Sequence, residues 1–73
     1  MENKFLIDIS VKYGLADEQV SKIVDICYQL GYYELDSREL QRAANYICSM
    51  KMVDLPAEEI IEEMKRKGFN GEE

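Results

Sequence analysis

The chain has 73 residues, of which 15 are acidic and 9 basic, so its formal net charge is −6. This length and an apolar fraction of 47% predict one small globular domain rather than a disordered chain. The negative charge disfavours nucleic acid and anionic membranes as partners. No apolar run approaches the ~20 residues that span a bilayer, and the N-terminus does not resemble a signal peptide, so we expect a cytoplasmic protein.

The first predicted helix covers residues 2–13 and is apolar on two sides. Phe5, Leu6 and Ile9 share one face, whereas Ile7 and Val11 lie on roughly the opposite side. A helix with two apolar sides is either packed between neighbours or open to a partner. The sequence therefore predicts that Ile7 and Val11 contribute to an interface.

Three more helices are predicted over 17–30, 37–51 and 57–67. Asp36 is the expected N-cap of the third helix, with Glu39 completing a capping box, and Pro56 suits the start of the fourth. Glycine followed by an apolar residue ends three of the four helices, at Gly14, Gly31 and Gly68. The predicted core comprises Val20, Ile23, Val24, Cys27, Leu30, Leu40, Ala44, Ile47, Ile60 and Met64. The fold class is all-α, a compact four-helix domain over 1–68 with a short tail, 69–73.

The segment SVKYGLADEQVSKI, within residues 6–25, resembles the helix-turn-helix module of bacterial and phage regulators. The positions that this motif buries carry apolar or aromatic residues here, namely Ile9, Tyr13, Leu15, Val20 and Ile23. Gly14 falls in the turn of the motif, and Ser10, a small residue, falls where its two helices cross. The resemblance implies DNA binding through the start of the second helix. That surface is acidic here (Asp17, Glu18, Gln19, Ser21, Lys22 and Asp25), which argues against insertion into the major groove.

A second surface keeps DNA binding open as the alternative function. The polar face of the third helix carries residue types that contact phosphates and base edges. Its members are Arg38, Gln41, Arg42, Asn45 and Ser49. Two arginines supply fewer phosphate contacts than a specific site uses, so we expect nucleic acid to be a weaker partner than protein.

Catalysis has little chemical support in this sequence. The chain has no histidine, and Cys27 and Cys48 fall among apolar residues at helical spacing, which predicts two buried free thiols. Two thiols do not complete a four-ligand zinc site. We therefore expect no enzyme activity, no metal and no cofactor.

Protein binding is the function that the composition favours. Ile7 and Val11 of the first helix are interface candidates. So are aromatic residues and methionines elsewhere in the chain that have no clear core position. The predicted interface is Ile7, Val11, Tyr32, Tyr33, Met50, Met52 and Val53. The expected partner is another protein, with a basic surface as one option and a second copy of the chain as another. By analogy of size and charge, the sequence suggests a regulatory inhibitor or adaptor of the kind carried by phages and mobile elements.

Overall fold

The computed structural model describes residues 3–69 and has four helices in that range: α1 (Lys4–Tyr13), α2 (Asp17–Gln29), α3 (Arg38–Ser49) and α4 (Ala57–Arg66). Residues 3–69 contain no strand, and their all-α four-helix fold confirms the prediction. The helix α1 begins at Lys4 after an extended Asn3, so the predicted start at residue 2 is wrong by two residues. Residues 70–73 of the predicted tail lie outside the described residues. The radius of gyration is 11.0 Å.

Side chains cap α1 and α3, and the cap of α3 differs from the prediction. Asn3 caps α1, its side-chain oxygen accepting from the Leu6 amide at 3.2 Å. Ser37, not Asp36, caps α3, since its hydroxyl oxygen accepts from the Leu40 amide. The Asp36 carboxylate instead accepts a hydrogen bond from the Asn3 side chain at 3.1 Å, so a contact across 33 residues takes it away from the predicted cap.

All four helices end in a left-handed residue. Gly14, Gly31 and Gly68 have positive φ, as the sequence pattern predicts, and Lys51 takes the same conformation with φ 58° after α3. After Gly31, Lys51 and Gly68, the amide of the next residue donates to the carbonyl five residues earlier in the helix. This is the hydrogen bond of the Schellman motif. Phe69, the first residue of the predicted tail, follows Gly68 in this way and packs against the core.

The positions of the helix ends show that neighbouring helices alternate in direction. The Asn3–Asp36 hydrogen bond joins the starts of α1 and α3, and Tyr13 and Cys48 line one cleft near the ends of the same helices. Lys22 on α2 reaches the backbone just before α4. Gln19, near the start of α2, lines the same cleft as Tyr13 and Cys48, and Gly31, after its end, lies beside Ser37 at the start of α3. The helix α2 therefore runs in the opposite sense to α1 and α3, and it contacts all three other helices.

The core lies around α2 and α3 and contains eight of the ten residues predicted for it. The buried cluster is Ile9, Ile23, Ile26, Cys27, Leu30, Leu40, Ala43, Ala44, Ile47, Cys48, Met52, Ile60 and Met64. Val20 and Val24 are half-buried and outside this cluster, so their prediction as core residues is wrong. The apolar arc of α2 is wider than the part of the helix that is buried. Ile23, Ile26 and Leu30 point into the core, and the two valines lie at the edge of the arc.

Candidate protein-binding surface

Four of the seven predicted interface residues are exposed. The side chains of Ile7, Val11, Tyr33 and Met50 are 45%, 77%, 64% and 56% exposed. Tyr32 and Val53 are half-buried and pack against the core. Met52 is buried, so its assignment to an interface is wrong.

The burial of Met52 follows from how α3 ends. Lys51 takes the left-handed conformation that glycine takes after α2 and α4, and the Met52 amide then bonds to the Ile47 carbonyl at 3.0 Å. An apolar residue at this position folds back on the last turn of the helix. The sequence signal was the glycine–apolar pair, and it was missed because a lysine replaces the glycine.

Two apolar stripes run along the hairpin formed by α1 and α2. Ile7 and Val11 are four residues apart on α1, and Val20, Val24 and Tyr28 are spaced by four on α2, so each stripe follows one line along its helix. Tyr28 is 39% exposed, and the two valines are half-buried. We refer to these five residues as the seam surface. The spacing of the α2 stripe was visible in the sequence, but its two valines were assigned to the core and Tyr28 was not assigned.

The two stripes lie on helices that contact each other. Lys22 reaches the segment before α4 from one flank of α2, and helical spacing puts Val20 and Val24 on its other flank. Ser10 is small and half-buried, and its hydroxyl donates to the Ile7 carbonyl at 2.7 Å. The seam surface therefore consists of one apolar stripe on each of two adjacent helices.

An aromatic pair extends the seam surface beyond the end of α2. The rings of Tyr28 and Tyr33 lie 6.2 Å apart between centroids and are tilted by 42°. Tyrosine is enriched in the cores of protein interfaces because it combines a large apolar area with a polar end. Tyr33 thus continues the apolar stripe of α2 into the loop that follows the helix.

The α2 face that would enter DNA has no available cation. Lys22 donates to the carbonyl oxygen of Val53 at 2.8 Å and also to that of Leu55. The ammonium group is therefore used to hold the α3–α4 connection. The exposed face keeps three carboxylates, on Asp17, Glu18 and Asp25. This face therefore repels phosphate more strongly than the sequence suggested.

The predicted polar face of α3 forms an exposed stripe. Arg38, Arg42, Asn45 and Ser49 are exposed, and Gln41 is half-buried at the edge. The Ser49 hydroxyl donates to the Tyr46 carbonyl within the helix. Arg42 also lines a cleft of about 240 Å³ together with Tyr32, Glu39, Lys67, Gly68 and Phe69.

The two thiols lie in the core and not on any of these surfaces. Cys27 and Cys48 are free, as predicted, and buried. Burial, and secondarily the charge of Cys48, raises the pKa of Cys27 to about 12, and burial also raises the pKa of Cys48. A high pKa keeps a thiol protonated and unreactive at neutral pH.

Within residues 3–69 there is no helix long and apolar enough to cross a membrane and no group of three or more cysteine, aspartate or glutamate side chains placed to hold a metal ion. In comparisons with protein-family models, curated proteins and solved structures, the chain has no match.

Proposed function

We propose that this chain is a small, acidic, non-enzymatic regulatory protein that acts by binding protein through the seam surface. The observation that carries the proposal is the exposure of Val11 and Ile7, 77% and 45%, on a helix whose other side packs into the core. Isolated apolar residues on a surface need no explanation, but contiguous apolar strips mark interaction sites. Size and charge fit an inhibitor or an adaptor.

The rest of the molecule supports binding over catalysis. Both nucleophilic thiols are buried with raised pKa values, so they are poorly placed to attack a substrate. The cleft beside Arg42 and three others on residues 3–69 have volumes of about 240 to 370 Å³, at or below the lower end of the range for small-molecule sites. The carboxylates of α2 disfavour the major groove, as described above.

Photocrosslinking tests the seam surface without requiring the partner to be known. A photoreactive benzoylphenylalanine replaces Val11 in one variant and Met50 in a matched control, since both side chains are exposed and apolar but only Val11 belongs to the seam surface. Each variant is irradiated in extract of the cells that produce the protein, with and without nuclease. We expect a protein adduct at position 11, insensitive to nuclease, and none at position 50.

Two results would contradict the proposal. Equal adducts at positions 11 and 50 would show that the contact is not specific to the seam surface. An adduct that disappears with nuclease would transfer the binding role to nucleic acid.

The second candidate function is DNA binding through α3. It is favoured by the alignment of Arg38 and Arg42 on one exposed stripe, with Lys67 beside Arg42 in the same cleft. Fluorescence anisotropy with duplex DNA at two salt concentrations tests it. Replacing Arg38 and Arg42 by alanine should abolish binding and its salt dependence, while replacing Lys4 and Lys12 should not. Absence of binding by the unmodified protein would remove this candidate.

A further inference from the structure

We infer that the occupant of the seam surface is a second copy of this chain, in a two-fold dimer that places α1 of each protomer against α2 of its partner. The inference rests on the proposed function, since it names the protein that binds the same surface. The charges on the two outer edges of the α1–α2 hairpin support a second copy as the occupant.

The charged edge of α1 differs in sign from that of α2. Beside its apolar stripe, α1 carries Lys4, Asp8 and Lys12, and α2 carries Asp17, Ser21 and Asp25 at the same intervals of four residues. All six side chains are exposed. The α1 edge thus has positive charges at both ends, and the α2 edge has negative charges at both ends.

The spacing of these charges matches across a dimer. Lys4 to Lys12 and Asp17 to Asp25 each span eight residues, about 12 Å along a helix. Because α1 and α2 are antiparallel, a two-fold axis along the helices sets α1 against the partner's α2. Every charge then meets a complementary group: Lys4 faces the partner's Asp25, Asp8 faces the partner's Ser21, and Lys12 faces the partner's Asp17.

The other two-fold arrangement of the same surfaces is disfavoured. With the axis perpendicular to the helices, α1 would lie on α1 of the partner and α2 on α2 of the partner. Lys4 would then face the partner's Lys12, and Asp17 the partner's Asp25, which repel. Charge therefore selects one axis, and the apolar residues of the seam surface fill the centre of the interface.

The first test is the mass of the purified full chain by sedimentation equilibrium. We expect twice the monomer mass of 8.5 kDa. Val11→Glu should raise the dissociation constant about 100-fold or more, because it buries an unpaired carboxylate at the centre of the interface. Met50→Glu, which adds the same charge at an exposed residue away from the seam surface, should leave the dimer intact.

The second test is an exchange of charges between two chains. A chain with Lys4→Glu and Lys12→Glu, and one with Asp17→Lys and Asp25→Lys, should each be monomeric alone. Mixed together they should form a one-to-one heterodimer, because every contact then joins opposite charges. Circular dichroism of each chain confirms that it is folded.

The results separate this inference from the proposed function. A chain that stays monomeric at millimolar concentration overturns the inference, as does a mixture that fails to form heterodimers. If position 11 still crosslinks to a different protein in extract, the seam surface remains a binding site and only the identity of its occupant changes. If position 11 gives no adduct and the chain is monomeric, both proposals fail.

Discussion

Lys51 is a non-glycine residue in a position that glycine fills elsewhere in this chain. Its φ of 58° lies in the left-handed region, where a side chain crowds the backbone. The conformation is held because the hydrogen bonds of the Schellman motif form around it and Met52 is buried next to it. The free energy of these contacts offsets the cost of the unfavourable backbone conformation at one residue.

Replacing this lysine by glycine should stabilise the protein. We expect Lys51→Gly to raise the free energy of unfolding by about 1 kcal/mol, since glycine adopts positive φ without steric cost. Lys51→Ala is the matched control: it removes the same charge and keeps a Cβ atom, so it should change stability little. Urea denaturation of the two variants measures the difference, and a Lys51→Gly variant no more stable than Lys51→Ala would contradict the argument.

The connection between α3 and α4 is held by a side chain from α2. Lys22 donates to two carbonyl oxygens, those of Val53 and Leu55, and Gln19 donates to the Asp54 carboxylate at 3.2 Å. Gln19 also accepts from the Ala16 amide at 2.8 Å, so it closes the start of its own helix at the same time. Two side chains one turn apart thus fix the approach to α4.

Removing this lysine contact should weaken the fold. Lys22→Met keeps much of the aliphatic length but leaves the Val53 and Leu55 carbonyls without the ammonium donor. We expect the free energy of unfolding to fall by about 2 kcal/mol, since two hydrogen bonds are lost and each has a usual net value of about 1 kcal/mol. Lys65→Met, an exposed lysine in the last turn of α4, is the control. Chemical denaturation compares the two, and equal effects would show that Lys22 contributes only charge.

Sequence patterns predicted elements better than they predicted local contacts. The spans of α2, α3 and α4 follow from apolar periodicity and from glycine stops, and each agrees with the structure to within two residues. The cap of α3 could not be predicted, because Asp36 and Ser37 are both good cap residues. A tertiary hydrogen bond from Asn3 decides between them.

The candidate site was predicted in part. The exposed stripe of Ile7 and Val11 follows from periodicity, because the opposite face of α1 already supplies the core. Val24 was assigned to the core because a wide apolar arc does not reveal which part of it is covered. That depends on where α1 and α4 pack against α2, which no local pattern contains.

At the scale of the whole molecule, the core contains two thiols whose ionisation opposes folding. Cys27 is fully buried, and its pKa is raised to about 12, whereas the pKa of an unfolded cysteine is about 8.5. Below about pH 8.5 both states keep the proton, and stability is unaffected. Above it, the unfolded chain loses the proton that the folded chain retains, so unfolding becomes more favourable.

Stability should therefore fall as the pH rises from about 8.5 toward 12, by up to about 1.4 kcal/mol per pH unit for Cys27, and the raised pKa of Cys48 acts in the same direction. Chemical denaturation at a series of alkaline pH values measures this slope. A variant with both cysteines replaced by alanine is the control, because it keeps every other ionisable group of the chain. Equal slopes for the variant and the unmodified protein would contradict the assignment.

Because the two cysteines lie in the core, their reaction with a thiol reagent can be used to measure transient opening of the domain. A reagent such as an alkylating agent reaches Cys27 only after the helices around it separate, since its side chain has no exposed area. The rate of labelling at neutral pH then reports how often the domain opens. Labelling followed by mass spectrometry can thus compare the opening rate of the wild-type chain with that of each variant. It can also compare the opening rate of the monomer with that of an assembled form.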